Sequence, residues 1–255
     1  MSHLSALILG IVEGITEFLP ISSTGHLVLT AQLLHIPSSP FVSSFEIAIQ
    51  LGAICAVIGR YLPRLIRDFQ LWTRLIVAFI PTGLVGLFAY PLIKSLLANP
   101  TTILWALGIG GVVIILFEKI VHEKPDSGED ISKLPLKTAF LVGVAQSVAV
   151  IPGVSRAAAT ICGGMAVGMS RRAIVEFSFL LAIPTMIVAT GFDLIKNAGA
   201  FGTGQWSVLL VGAVVAWLTA RVAMKWLVGY IQRHDFTAFG IYRIAIAFIG
   251  IFILR

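Results

Sequence analysis

Apolar residues along this chain gather into long runs instead of the three-and-four spacing of a surface helix. A helix needs roughly 20 mostly apolar residues to cross a bilayer. About six stretches meet that length, near residues 43–60, 72–93, 101–118, 173–192, 206–228 and 237–254. Two further apolar regions, about 3–36 and 136–169, are broken at their centres by Pro with a cluster of Ser and Gly. Each reads as helix, turn, helix, with arms too short to span comfortably. Broken backbone at membrane depth is tolerated only inside protein or around a wet cavity. The pattern therefore predicts two re-entrant hairpins, each entering and leaving on one side.

The polar positions between the runs test this layout through the excess of Lys and Arg on cytoplasmic loops. With both hairpins re-entrant, thirteen of the eighteen Lys and Arg residues fall on one side and only Lys94, Lys196 and Arg255 on the other. The segments 60–74, 118–137, 169–173 and 228–236 are accordingly expected in the cytoplasm. Arg156 and Arg243 are left inside the membrane. One strongly polar linker, Glu118 to Lys137, divides the chain near its midpoint.

The two halves resemble each other. Gly10 corresponds to Gly143, Pro20 and Ser23 to Pro152 and Ser155, and Glu46 to Glu176, at offsets of 133, 132 and 130. A hairpin plus three spans is an odd crossing number, so a second copy enters from the opposite face. The expected fold is an all-α polytopic membrane protein of about six transmembrane helices and two re-entrant hairpins. Its single domain, residues 1–255, would be an inverted repeat with halves of about 1–120 and 134–255 joined by 119–133. Sites in such folds lie at the repeat interface near the midplane.

Composition agrees: 58% of residues are hydrophobic and 12% charged, which a soluble domain of this size could not carry without exposing large apolar patches. The net charge of +6 is scattered over short loops without an aromatic-basic stripe, so no nucleic-acid partner is expected. Membrane lipids are. No basic n-region with a single h-region opens the chain, so the N-terminus is expected to belong to the mature fold. Cys55 and Cys162 lie in apolar stretches, as small hydrophobes rather than a disulfide framework.

Charges at the bilayer centre cost roughly 2.5–3.5 kcal/mol each on insertion scales, yet Glu13, Glu17, Glu46, Arg156, Glu176 and Arg243 are kept there. Glu13 and Glu17 are four apart on one helix face, where like charges repel unless a proton or cation lies between them. Hard oxygen ligands suit Mg²⁺ or Ca²⁺; the other arrangement is a wet helix face with one carboxylate protonated. After Pro20 come Ser22, Ser23 and Thr24, at the start of the second arm, where hydroxyls cap free N–H groups. Ser23 and His26 share a helix face, so either can be nucleophile, with the imidazole also a candidate base. A histidine that only hydrogen-bonds in the core is the alternative. In the second hairpin, Ser155, Arg156 and Thr160 again open a helix, and free amides with a hydroxyl and a guanidinium make an anion site; the other reading is that Arg156 only neutralises Glu13, Glu17, Glu46 or Glu176. Arg243 either adds positive charge to that site or pairs with Glu46 or Glu176.

VEGITEFLPISSTGHL resembles the Glu-rich signature of the bacterial undecaprenyl-diphosphatase, or bacitracin-resistance, family. PGVSRAAAT resembles its second signature, PGxSRSxxT, and FEIAIQLGAI, EFSFLLAIP and GIYR also match in order and spacing. The resemblance implies hydrolysis of undecaprenyl diphosphate to the monophosphate lipid carrier used in cell-wall synthesis, with bacitracin resistance as a consequence. It also implies a divalent cation and a plasma-membrane site reached from the outer face. Carried onto this chain, it makes Glu13 and Glu17 the acidic pair. Ser22, Ser23 and His26 become the first-hairpin catalytic group, and Ser155, Arg156 and Thr160 the phosphate group. Ala157 departs from the signature, removing one hydroxyl from the second hairpin. The partner implied is a polyprenyl diphosphate lipid, and a homodimer is compatible with it. The rival class is a secondary transporter or flippase for a lipid phosphate or other anion, since inverted repeats with broken helices also build carriers.

Overall fold

The structure is a computed structural model describing residues 1–37, 39–97, 99–121, 128–196 and 205–253. Part of the polar linker, residues 122–127, and with it Lys124, lies outside the described residues, as does Arg255. The described residues form α-helices joined by short turns. They are α1 (His3–Thr16), α2 (Ser23–Leu33), α3 (Pro40–Arg67), α4 (Phe69–Phe88), α5 (Tyr90–Leu97), α6 (Pro100–Ile120), α7 (Leu136–Gln146), α8 (Arg156–Ala166), α9 (Arg171–Lys196), α10 (Gln205–Tyr230) and α11 (Thr237–Ile253).

Five of them, α3, α4, α6, α9 and α10, are long and apolar enough to cross a membrane. Their outward faces, with that of α11, carry Phe69, Phe88, Val222 and Phe248, all well exposed, as a lipid-facing surface requires and a water-facing one forbids. The chain is therefore an all-helical polytopic membrane protein. α11, expected as a sixth span, is 17 residues long, and the run expected over 72–93 is two helices, α4 and the short α5.

Helix starts follow local chemistry. The side chains of Ser39, Asp68 and Asn99 accept backbone N–H groups of Val42, Leu71 and both Thr101 and Thr102, and Pro40 and Pro100 occupy first-turn positions where no N–H is needed. The two interrupted regions fold into helical hairpins, α1 on α2 and α7 on α8. The start of the first hairpin meets the start of α10, where His3 Nε2 and Ser207 Oγ lie 3.1 Å apart. Both ends of the second meet on one side: Arg74 Nε donates to the Leu134 carbonyl at 3.1 Å before α7, and the Ser170 N–H donates to Glu129 at 3.2 Å before α9.

Packing ties the halves together. α1 lies along α10 and α7 along α4; α3 packs on α9 and α6 on α11. The first two pairs approach closely at glycine. A Cβ on Gly10 would sit 2.6 Å from the Gly212 carbonyl, and one on Gly143 would strike the Ala78 carbonyl. The turns between hairpin arms are buried inside this bundle: Leu19, Pro20 and Ile21 in the first, Pro152 and Gly153 in the second.

Candidate active site

Both hairpins turn through a serine in the left-handed region, Ser22 and Ser155, each with φ of 67°. Such a conformation strains a residue with a Cβ and persists only where surroundings hold it. Ser22 precedes α2 and Ser155 precedes α8, so each sits where backbone N–H groups of a new helix are free. Ser155 Oγ accepts the Ala158 N–H at 3.2 Å, whereas Ser22 makes no side-chain cap bond.

The next residue in each hairpin carries the polar chemistry. Ser23 Oγ donates to Glu17 Oε2 at 2.5 Å. Arg156 Nη2 reaches the other oxygen, Oε1, at 3.2 Å, and its Nη1 donates to the Ser178 carbonyl at 2.9 Å. The guanidinium also stands 5.8 Å over the Phe18 ring, within cation–π range. Glu17 is thus shared between a hydroxyl of one hairpin and the arginine of the other, with both ionic side chains almost wholly buried.

These groups line a cavity of about 680 Å³. Glu17, Ser22, Ser23 and Thr24 come from the first hairpin, Ser155 and Arg156 from the second, and Glu46 from α3. Ile36, Tyr90, Lys94 and Pro100 line its other end, and Phe79, Gly83 and Leu87 of α4 form part of an apolar wall. At that end Lys94 Nζ pairs with Asp193 at 2.8 Å, and Asp193 accepts from Ser44 at 3.1 Å.

Four candidates take other places. Glu13 is fully buried behind Glu17; Glu17 is its near neighbour, close enough for the two carboxyls to share a proton, and Glu46 and Arg156 also act on it electrostatically. His26 is off the cavity wall: its Nδ1 lies 2.7 Å from the Ser22 carbonyl and its Nε2 2.9 Å from the Tyr242 hydroxyl. Thr160 is not on the cavity wall but stands behind two residues that are, donating to the Arg156 carbonyl at 2.7 Å and lying 3.1 Å from Gln146 Oε1. Arg243 is fully buried, yet it neither faces the cavity nor pairs with Glu46 or Glu176. Its Nε donates to Leu107, Nη1 to Pro20 and Val154, and Nη2 to Ala106 and Gly153, all backbone carbonyls. A guanidinium has five N–H donors, so none remains for a phosphate; Arg243 binds the two hairpin turns to each other and to α6. Glu176 instead holds Arg64 at 2.8 Å.

Sequence spacing missed Glu46 as part of the cavity wall, since its single carboxylate carries no partner signal, and it missed Gln146. The latter is fully buried and donates to Thr82 at 3.0 Å and Thr185 at 3.3 Å. Ala157, where the signature has Ser, packs in the apolar core, so the missing hydroxyl is not missing from the cavity wall.

No group of three or more His, Cys, Asp or Glu placed to hold a metal occurs among the described residues. The donor set nonetheless suits a hard cation. Glu13 and Glu17 face each other closely enough to share a proton or a cation, and Mg²⁺ is commonly bound by one or two carboxylates, with water and substrate phosphate completing the shell.

Comparison with known proteins adds an independent line. The sequence profile of the family described as Bacitracin resistance protein BacA matches residues 6–249. An undecaprenyl-diphosphatase of Aquifex aeolicus is 50% identical over 250 residues, covering 98% of this chain and 97% of that protein. Proteins of the same name from Persephonella marina and Thermus thermophilus are 47% and 45% identical, with at least 98% of each chain covered.

Proposed function

The chain belongs to the Bacitracin resistance protein BacA family, and on that footing we propose that it hydrolyses undecaprenyl diphosphate to undecaprenyl phosphate and inorganic phosphate. The observation that carries the chemistry is the 2.5 Å contact of Ser23 with a Glu17 carboxylate whose other oxygen is held by Arg156. A hydroxyl against a fixed carboxylate is a nucleophile with its base in place.

In this mechanism Glu17 takes the Ser23 proton as Oγ attacks the terminal phosphorus. The anhydride P–O bond breaks, and undecaprenyl phosphate leaves. Glu17 gives the Ser23 proton up to the departing phosphate, and the restored carboxylate deprotonates water, whose oxygen attacks the phosphoserine; the P–Oγ bond breaks, the proton passes from Glu17 to Ser23 Oγ, and inorganic phosphate leaves. Arg156 neutralises the phosphoryl oxygens, aided by N–H groups at the starts of α2 and α8. Swinging from Glu17 to the substrate would also free the carboxylate to accept the proton. A divalent cation, held by Glu13 and Glu17, would add charge neutralisation on the diphosphate. The apolar wall of α4 suits the first part of the prenyl chain, whose remainder stays in lipid.

The halves form an inverted repeat in this account, supported by reciprocal packing: α1 on α10 answers α7 on α4. The shared φ of Ser22 and Ser155 supports the same correspondence. It pairs Ser22 with Ser155, so the register is 133 through the turn as it is at Gly10 and Gly143. Glu13 then corresponds to Gln146, which leaves the acidic pair in one half only. The cavity end bearing Ile36, Tyr90 and Pro100 lies opposite the Arg-rich segments, which supports an outer-facing site in the bacterial plasma membrane. The reciprocal packing also suits a carrier; undecaprenyl phosphate transport by purified protein lacking hydrolysis would favour that reading.

Phosphate release from undecaprenyl diphosphate by purified protein is the test. Ser23→Ala and Arg156→Ala are expected to lower it at least a hundredfold. Activity within threefold of the parent in either variant would overturn the assignment.

A further inference from the structure

The geometry points to Tyr242 and His26 as a positioning pair that holds the strained Ser22 turn beneath the nucleophile, rather than as groups that meet the substrate. This rests on Ser23 being the nucleophile, as proposed above. A carbonyl can only accept, so the 2.7 Å contact with the Ser22 carbonyl puts the proton of the neutral ring on His26 Nδ1. Nε2 is then the acceptor, and the Tyr242 hydroxyl donates to it at 2.9 Å. Both ring nitrogens are thereby engaged, and the cavity wall includes Ser22, Ser23 and Thr24 but not His26.

What the pair holds is specific. The Ser22 carbonyl also accepts the His26 backbone N–H, at a long 3.4 Å, so the first turn of α2 closes weakly and the imidazole supplies the shorter bond to the same oxygen. Ser22 has positive φ and no side-chain cap bond, so this turn lacks the support that Ser155 gives its own. Tyr242 fixes the ring in two ways: its hydroxyl selects the tautomer, and its ring stacks on the imidazole with centroids 5.5 Å apart and planes 8° from parallel. Its neighbour Arg243 grips the Pro20 carbonyl two residues before Ser22, so α11 secures both sides of the turn. The i, i+3 relation of Ser23 and His26 therefore serves backbone geometry, while the Ser23 hydroxyl turns to Glu17.

The test uses the purified full chain and undecaprenyl diphosphate, with kcat and KM determined separately. Tyr242→Phe removes one oxygen and keeps the ring; kcat is expected to fall about fivefold, with KM within twofold, the loss of a single hydrogen bond. His26→Asn keeps a donor nitrogen near the Nδ1 position and has neither nucleophilic nor basic nitrogen. It is expected to retain at least a tenth of parent kcat, to exceed His26→Ala at least tenfold, and to be unaffected by adding Tyr242→Phe. A His26→Asn variant as inactive as Ser23→Ala, or Tyr242→Phe at full parent kcat, would overturn the positioning role and leave Ser23 as nucleophile. An active Ser23→Ala would instead remove the reading on which the inference rests.

Discussion

Glu17→Gln, assayed at saturating Mg²⁺, removes the proposed base while leaving Arg156 an acceptor. The amide matches the carboxylate in size but presents one acceptor oxygen where the structure needs two, since Oε2 takes the Ser23 hydroxyl at 2.5 Å and Oε1 takes Arg156 Nη2 at 3.2 Å. The guanidinium only donates, so the amide oxygen should turn toward it and the NH₂ toward Ser23. Ser23 then loses its base while the arginine keeps a partner. A positioned general base contributes about 10²–10⁴ in rate, or about 3–5 kcal/mol at 1.36 kcal/mol per decade. Phosphate release under saturating undecaprenyl diphosphate should show kcat reduced by that factor. KM should be unchanged or lower, because Arg156 is no longer neutralised by a carboxylate. A kcat within threefold of the parent would refute Glu17 as the base. A raised KM with parent kcat would assign it to substrate binding alone.

Three further outcomes follow from other parts of the molecule. Gly143→Ala should separate α7 from α4 by driving a methyl into the Ala78 carbonyl, costing on the order of 1–3 kcal/mol and lowering the unfolding midpoint in detergent. Chelation should suppress phosphate release, and Glu13→Gln should raise the Mg²⁺ concentration needed for half-maximal activity at least tenfold; an unchanged Mg²⁺ requirement would remove Glu13 from the cation site. At the Arg-rich end, burial alone would raise the Asp68 carboxyl. Donation from Ser132 and the Leu71 N–H, with Arg64 nearby, holds it below the usual carboxylate range. A carboxyl depressed on folding stabilises above its unfolded value, roughly 3.9, and that stability is lost as pH falls through the folded one. Asp68→Asn should therefore flatten the fall in thermal stability as pH drops below about 4.

Five of the six expected spans and the two helix–turn–helix breaks were legible because run length and the Pro-Ser-Gly breaks are set by bilayer thickness and by the need to satisfy broken backbone. The break between α4 and α5 was not. Pro81 sits inside α4 and Pro63 and Pro184 inside α3 and α9, so Pro91 carries no distinguishing signal. The separate α5 is held by tertiary contacts, Tyr90 edge-on to Phe192 and Lys94 on Asp193. In the site, Glu17, Ser23 and Arg156 were legible as residue types that are costly in a membrane and gathered at hairpin turns. Their pairing was not, because helical spacing joins Ser23 to His26, while the fold joins Ser23 to Glu17 across the turn. The role of Arg243 was not legible for a related reason: its partners are carbonyl oxygens from Pro20 to Val154, which leave no mark in side-chain sequence.

The most direct test of Ser23 as the attacking group is to trap the covalent intermediate. Protein mixed with undecaprenyl diphosphate labelled at the terminal phosphate, and quenched within one turnover, should carry label on Ser23. The label should be absent from Ser23→Ala and should persist longer where loss of the Glu17 carboxylate slows water attack more than it slows phosphorylation. Label on His26, or parent-level hydrolysis by Ser23→Ala, would contradict it.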